Sequence, residues 1–206
     1  LAGVSGAVAV PRFTDVTEEA GIDFSHINGA NGRKYIIETV GSGGAFLDVD
    51  GDGYLDIYLI NGAEVPGTES PPVRRNALYL SEGGAHFRDV TEATGVGDTT
   101  YGMGCAAADI DNDGDVDFIS ATSVGYDEIW LNNSGTFTEA GLGLGDGWTV
   151  RPEMFDMDGD GDLDLFLTQY ALTSSIQFNE ILPNKLFTEG DVPLLVLDSL
   201  LADDVD

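Results

Sequence analysis

The chain has 206 residues, of which 42% are hydrophobic, enough apolar material to build a core. It carries 37 Asp and Glu against 8 Lys and Arg, a formal net charge of −29. Nucleic acids and anionic membranes are therefore poor partners, because such a surface would repel them. No apolar run reaches the roughly 20 residues that a membrane-spanning helix needs, so membrane insertion is not expected.

Residues 1–12 begin as a run of small, mostly apolar residues. Ala7-Val8-Ala9 resembles an A-x-A cleavage site, so one interpretation of this segment is the remnant of a signal peptide. An edge strand explains the same stretch equally well, because chain termini are weakly determined by their local sequence. Both interpretations are kept for this segment.

One acidic, glycine-punctuated loop occurs three times along the chain. The copies read DVDGDGYLD from Asp48, DIDNDGDVD from Asp109 and DMDGDGDLD from Asp156. Carboxylates at loop positions 1, 3, 5 and 9 can converge if the chain curls, and a backbone carbonyl at position 7 can fill a gap. The glycine at position 6 permits the turn because it has no Cβ to clash at positive φ. Oxygen ligands in this number suit Ca²⁺ best, so the pattern predicts three calcium sites.

The residues around the loops distinguish them from an EF-hand, which needs a Glu at position 12 and a helix on each side. Position 12 here holds Leu59, Ser120 and Leu167. The flanks are instead short apolar runs with β-branched and aromatic residues, which predict buried strands. Each acidic loop is therefore predicted to join the two strands of a β-hairpin.

Other elements recur in a fixed order around the loops. An Asn or Asp followed by an apolar and aromatic run occurs at 76–79, 127–130 and 184–187. A Phe-led acidic strand occurs at 87–91 and 137–140, with an extra copy before the first loop at Phe13–Thr17. Four short strands per unit at this spacing are typical of β-propeller blades. We therefore expect an all-β fold of about three blades, each of four antiparallel strands, in an incomplete or open propeller.

With these motifs the chain resembles the FG-GAP/VCBS repeats, the calcium-binding blades of integrin α-subunits and many secreted bacterial proteins. Within that group it is most similar to bacterial relatives of cartilage acidic protein, which often also carry an ASPIC/UnbV module. The resemblance rests on FTDVTEEAG from Phe13, HINGANG from His26, and the stretches 38–62 and 102–120. It covers residues 13–190, whereas the acidic tail at 191–206 matches no blade strand.

The resemblance implies calcium at the rim of each blade, with side-chain ligands from loop positions 1, 3, 5 and 9 and a backbone carbonyl from position 7. The implied ligands are Asp48, Asp50, Asp52, Tyr54 and Asp56; Asp109, Asp111, Asp113, Asp115 and Asp117; and Asp156, Asp158, Asp160, Asp162 and Asp164. About three Ca²⁺ ions per chain follow from this set. The resemblance also implies a secreted or cell-surface protein, used in adhesion or in the recognition of proteins or glycans.

Two functional classes stay open at this point. The favoured one is a non-catalytic, calcium-rigidified scaffold whose ligand is a protein or a glycan. The alternative is part of a carbohydrate-active enzyme, similar to a polysaccharide lyase, built on a calcium-binding propeller. Such an enzyme would need basic groups against a polyanionic substrate, and the chain has only 8 Lys and Arg.

The number of blades has a consequence for assembly. About three blades are fewer than the roughly four to eight of a closed propeller. An open array leaves unpaired edge strands, so association through blade edges is expected.

Two further expectations concern where a partner binds. Trp130 occupies a repeated strand position and is expected in the core, whereas Trp148 follows a Gly-Asp-Gly run and is the better candidate for a surface contact. Recognition is expected to reside in the variable connections, chiefly 63–75, 121–126 and 169–183, because the strands are committed to packing.

Overall fold

The structure is a computed structural model that describes residues 12–63, 74–123, 125–142, 144, 147–157, 159 and 161–172. Within these residues the chain is almost entirely β-structure, which confirms the predicted fold class. The exceptions are a 3₁₀ turn, Ile36–Thr39, and a single α-helical turn, Thr91–Thr94, called α1. Neither of these helices is long and apolar enough to cross a bilayer.

The strands form two four-stranded sheets and one two-stranded sheet among the described residues. The first sheet contains β1 (Gly44–Leu47), β2 (Asp56–Leu59), β3 (Ala77–Ser81) and β4 (Phe87–Asp89). The second contains β5 (Gly102–Ala108), β6 (Asp117–Thr122), β7 (Glu128–Asn133) and β8 (Thr136–Glu139). The third contains β9 (Gly147–Phe155) and β10 (Asp164–Leu172). All pairs are antiparallel and neighbours in sequence, so each four-stranded sheet is a simple meander like a propeller blade.

The three acidic loops occupy the same place in their sheets. In each sheet the first strand ends opposite the start of the second, in the pairs Leu47 with Asp56, Ala108 with Asp117, and Phe155 with Asp164. The loops therefore join the first and second strands at one common end of the three sheets. The predicted β-hairpins are confirmed at all three positions.

The first strands of successive sheets lie against one another, with β5 in contact with β1 on one side and β9 on the other. Glycine makes this approach possible. A Cβ on Gly43 would come within 3.0 Å of the Gly104 Cα, and a Cβ on Gly104 within 2.6 Å of the Val150 carbonyl oxygen. A larger side chain at either place would push the inner strands apart. The described residues thus form a row of blades that does not close into a ring.

The core lies between the sheets. The first and second sheets enclose a buried cluster made of Leu47, Val49, Tyr58, Ile60, Leu78, Val90, Val96 and Phe118. Trp130 packs against this cluster, which confirms the expectation for that residue. The second and third sheets enclose another cluster, made of Ile110, Ile119, Ile129, Leu144, Leu165 and Leu167. Val49 of the first acidic loop and Ile110 of the second belong to these clusters, so each of these two loops sits above a packed seam between blades.

The expectation for Trp148 is wrong. Its side chain is only 3% exposed and belongs to a third buried cluster with Tyr35, Ile37, Tyr101 and Met103. Its ring centroid lies 5.1 Å from that of Tyr170. The indole is covered by the segment that precedes β1, so it cannot serve as a surface contact.

Several predictions concern residues outside the described part of the chain. They include the segment 1–11, the connection 64–73, the strand copy at 184–187 and the tail at 191–206. The domain boundaries therefore stay predictions.

Candidate metal centres

The first acidic loop brings three of its carboxylates together. Ligand-capable oxygens of Asp48, Asp50 and Asp56 all lie within 4.8 Å of one another. The loop curls this tightly because Gly51 and Gly53 adopt φ angles of 71° and 87°, a conformation that strains any side chain with a Cβ. The glycine at loop position 6 thus has the role that its place in the motif predicts.

Asp56 fixes this cluster to the sheet. It is buried, its Oδ2 accepts the Val49 backbone N–H at 2.9 Å, and its Oδ1 accepts the Ser81 backbone N–H at 2.7 Å. Burial raises the pKa of Asp56, the two backbone hydrogen bonds oppose the rise, and the nearby Asp50 and Asp48 add to it. A cation shared by these carboxylates would offset both the burial and their mutual repulsion.

The second loop repeats this arrangement, with oxygens of Asp109, Asp111 and Asp117 within 4.8 Å of one another. Asp117 is buried, and its two oxygens accept the backbone N–H groups of Ile110 and Asn132, each at 2.7 Å. Burial raises the pKa of Asp117, and it is also the main cause that raises the pKa of Asp111.

One oxygen of the second cluster tests whether a metal fits. Asp109 Oδ1 is buried and has no hydrogen-bond partner. Buried polar atoms are normally satisfied, and an acceptor without a donor among other carboxylates is satisfied by a cation. The donor set therefore fits a hard, oxygen-preferring ion.

The carboxylates at loop position 5 lie outside both clusters. Asp52 Oδ1 accepts the Tyr54 N–H at 2.8 Å, and Asp113 Oδ1 accepts the Asp115 N–H at 2.9 Å. These local bonds turn both side chains back to their own backbone. Of the position-7 residues, Tyr54 is exposed and Asp115 accepts the Ser134 N–H through Oδ2 at 2.7 Å. Ligation by positions 5 and 7 stays a prediction.

The third loop has the hydrogen bonds of the other two at positions 1 and 9, where Asp48 and Asp109 also accept the N–H of the glycine at position 6. Asp156 accepts the N–H groups of Gly159 and Gly161 at 2.6 and 3.2 Å. The buried Asp164 accepts the Met157 N–H at 2.7 Å, as Asp56 and Asp117 do at the matching position. The side chain of Asp162 accepts a hydrogen bond of 2.9 Å from Asn112 in the second loop. Asp158 and Asp160 lie outside the described residues, so the third site stays a prediction.

Asn132 is a positioning residue that sequence reasoning missed. Its buried Nδ2 donates to the Val49 carbonyl in the first loop at 2.9 Å and to the Val116 carbonyl at 3.1 Å. One side chain thus ties the first loop, the second loop and β7 together. The repeat pattern gives no signal for this role, because the matching residue in the first sheet is Ser81. Ser81 and Asn132 both donate a backbone N–H to the aspartate at loop position 9, but only Asn132 has a side-chain amide.

Comparison with known proteins agrees with this internal repetition. The sequence model of the FG-GAP-like repeat matches residues 48–120 and, in an overlapping second match, residues 109–167. Together the two matches span more than half of the chain. No curated protein sequence matches the chain.

Proposed function

The chain belongs to the FG-GAP-like repeat family, and we propose that it is a calcium-binding extracellular scaffold of propeller-like blades. In this proposal it recognises a protein or a glycan, as an adhesion module does, and has no catalytic activity. The observation that supports it best is the pair of acidic clusters, which recur at the same end of two successive sheets with the same backbone anchors. The finer resemblance to relatives of cartilage acidic protein stays a prediction.

Calcium is the ion that the donor set favours. All the clustered ligands are carboxylate oxygens, and Ca²⁺ accepts six to eight oxygens in flexible geometry, about 2.3–2.6 Å away. Mg²⁺ demands a tighter octahedron and keeps its water, so it should bind poorly here. Asp48, Asp50 and Asp56 would hold one ion, and Asp109, Asp111 and Asp117 another. When bound, the ion supplies positive charge where each loop meets the seam between blades.

An extracellular location is part of the proposal for a physical reason. Exposed loops of this kind fill at the roughly millimolar calcium found outside cells. The net charge of −29 also favours a strongly hydrated protein that avoids non-specific contact with other polyanions.

The metal proposal is tested by calorimetry on protein first stripped with EDTA. We expect at least two calcium sites and much weaker binding of Mg²⁺. Asp50→Asn and Asp111→Asn should each remove one site. Glu18→Gln is the matched control, because Glu18 is exposed and lies outside the loops. Equal losses of calcium binding in all three variants would mean that the overall negative charge attracts the ion non-specifically, and the site assignment would then be wrong.

The recognition proposal is tested separately, on a glycan array and with candidate extracellular-matrix proteins, in calcium and in EDTA. A ligand bound in calcium and released by EDTA is the expected result. Release of unsaturated uronates from an acidic polysaccharide would show lyase activity and contradict the non-catalytic assignment.

A further inference from the structure

One turn of the second blade contacts both of the acidic loops whose carboxylates cluster. This bridging turn, residues 132–135, lies where β7 turns into β8. It is fixed to the loop of its own sheet at two points. The Asn132 backbone N–H donates to Asp117 at 2.7 Å, and the Ser134 N–H donates to Asp115 at 2.7 Å. The turn therefore holds a predicted ligand of the second loop directly.

The bridging turn also reaches the loop of the preceding sheet. The Asn132 side chain donates to the Val49 carbonyl at 2.9 Å. Its Oδ1 accepts the Gly135 N–H at 2.8 Å, and a Cβ on Gly135 would come within 4.0 Å of the Asp50 Cβ. Val49 and Asp50 are consecutive residues of the first loop, and Asp50 is one of its three clustered carboxylates. The turn thus touches the first loop next to its cluster.

Hydrogen bonds form an unbroken path between the two carboxylate clusters. The Val49 N–H donates to Asp56 of the first cluster, and the Val49 carbonyl accepts the Asn132 amide. The Asn132 N–H then donates to Asp117 of the second cluster. None of these four residues is more than 2% exposed, so bulk water does not compete for their hydrogen bonds.

The matching turn of the first sheet shows which part of this path belongs to the repeat. Ser81 stands in the place of Asn132 and donates its backbone N–H to Asp56. Its hydroxyl accepts the Gly84 N–H at 2.7 Å, as Asn132 Oδ1 accepts that of Gly135. Serine has no amide, so it cannot make the further bond that Asn132 makes to a neighbouring loop. That bond is an addition of the second blade.

We propose that the calcium sites of the first and second loops are positively coupled through Asn132, so that filling one raises the affinity of the other. The proposal rests on the calcium binding proposed above. Clustered carboxylates repel one another in a loop without an ion. Ordering of the first loop also fixes the Val49 carbonyl, and with it Asn132 and the N–H that holds Asp117. The second loop then loses less conformational freedom when it binds, which raises its affinity.

Electrostatics alone predicts the opposite sign. A cation in one loop repels a second cation, and it also reduces the net charge of −29 that attracts calcium. A gain of affinity at the second loop therefore has to come from the contacts between the loops. Such coupling is reciprocal, because linkage requires the same factor in both directions.

The first test follows each loop separately in the whole chain, by NMR, as calcium is added to protein stripped with EDTA. The Gly53 and Gly114 N–H groups each donate to the first aspartate of their own loop, at 2.9 and 3.1 Å, so each amide reports on one loop. Asp50→Asn should raise the calcium concentration that half-saturates the second loop by at least about fivefold. Asp111→Asn should raise that of the first loop by the same factor.

The second test repeats the titration with Asn132→Ser, the residue that the first blade has at the matching position. The exchange keeps the backbone N–H and a side-chain acceptor but removes the amide that reaches Val49. In this background Asp50→Asn should no longer shift the half-saturation of the second loop. Asn133→Ser is the matched control, because it makes the same exchange at an exposed neighbour, and the shift should persist there.

The outcomes separate this coupling from the calcium assignment itself. Two loops that fill independently in the first test, or a shift that survives Asn132→Ser, would overturn the coupling and leave the calcium sites in place. The first test needs no change at Asn132, so it decides the matter even where that variant folds poorly. An absence of calcium binding at both loops would contradict the proposed function together with the coupling.

Discussion

The first and second sheets agree at their acidic loops but differ at the opposite end, where Asn76 and Asp127 occupy the same position before the third strand. Asn76 Oδ1 accepts the Asn61 N–H at 2.8 Å, and Asp127 Oδ1 accepts the Thr122 N–H at 2.8 Å. Asn76 also donates through Nδ2 to Ser120 of the next sheet, at 3.2 Å. Asp127 offers a donor only when its carboxyl group is protonated, because an ionised carboxylate only accepts.

Because of this difference, a buried polar atom at the seam between the second and third sheets lacks a hydrogen-bond partner. Asp127 is 3% exposed, and its Oδ2 is buried without a well-formed hydrogen bond. Burial raises the pKa of Asp127 to about 7, although the Thr149 side chain and the Thr122 N–H oppose the rise. One amide-to-carboxylate exchange thus turns a neutral contact between blades into one that depends on a proton.

Removing calcium should have the largest effect on stability, because it acts on the acidic loops, which are alike in the first and second sheets. Binding to the folded state alone stabilises by about 2.7 kcal/mol per site at a hundredfold excess over Kd. EDTA should therefore lower the melting temperature clearly, and more at low salt, where carboxylate repulsion is least screened. Calorimetric melts with calcium, with EDTA and after calcium is restored measure this. An unchanged melt in EDTA would mean that the loops fold without an ion.

The next largest effect on stability is expected from Asn76→Asp. This variant places at the seam between the first and second sheets the same buried carboxylate that Asp127 places at the seam between the second and third. The variant loses the donor to Ser120 and buries a carboxylate oxygen, which should cost about 1–3 kcal/mol of unfolding free energy. Asn133→Asp is the matched control, because it adds the same charge at an exposed position. Chemical denaturation at pH 8 compares the two variants. Equal losses would show that added charge, rather than the missing donor, is responsible.

The reverse exchange, Asp127→Asn, should stabilise the protein at pH 8 by restoring a donor toward the third sheet. The folded-state pKa of about 7 exceeds the ordinary value of 3.8, so between these pH values the folded chain holds a proton that the unfolded chain has lost. The contribution of Asp127 to stability is therefore full below pH 4, falls as the pH rises to about 7, and is constant above it.

The control for this prediction is the difference between wild type and Asp127→Asn, measured in EDTA at fixed ionic strength. Taking this difference cancels the pH-dependent contribution of the loop carboxylates Asp56 and Asp117, whose pKa values are also raised by burial. The variant's advantage should grow from pH 5 to pH 8. A constant difference across that range would contradict the assignment of the proton to Asp127.

The spacing of motifs predicted most of the fold, because each unit is local. Acidic loops flanked by short apolar runs predicted the hairpins, and their repetition predicted the blades. The burial of Trp148 could not be predicted in this way, because it depends on Tyr35 and Tyr101, which are far away in the sequence. The Asn or Asp at the start of each third strand was visible as a repeat. Whether that residue finds a donor depends on how the next sheet packs, which no local pattern contains.

The smallest effect is expected beside Asp127, at Glu128, where the first sheet has Ala77. Burial raises the pKa of Glu128 to about 7, the charges of Asp98 and Glu139 add to the rise, and Trp130 opposes it. Glu128→Gln removes the repulsion at nearly constant size, so it should stabilise by about 0.2–1 kcal/mol, the magnitude of a charge pair between neighbouring strands. The gain should be present at pH 8 and vanish at pH 5, where Glu128 is already protonated. Thermal melts at both pH values measure it. The same gain at pH 5 would assign the effect to packing, and the starts of the third strands in the two sheets would then differ in charge through Asp127 alone.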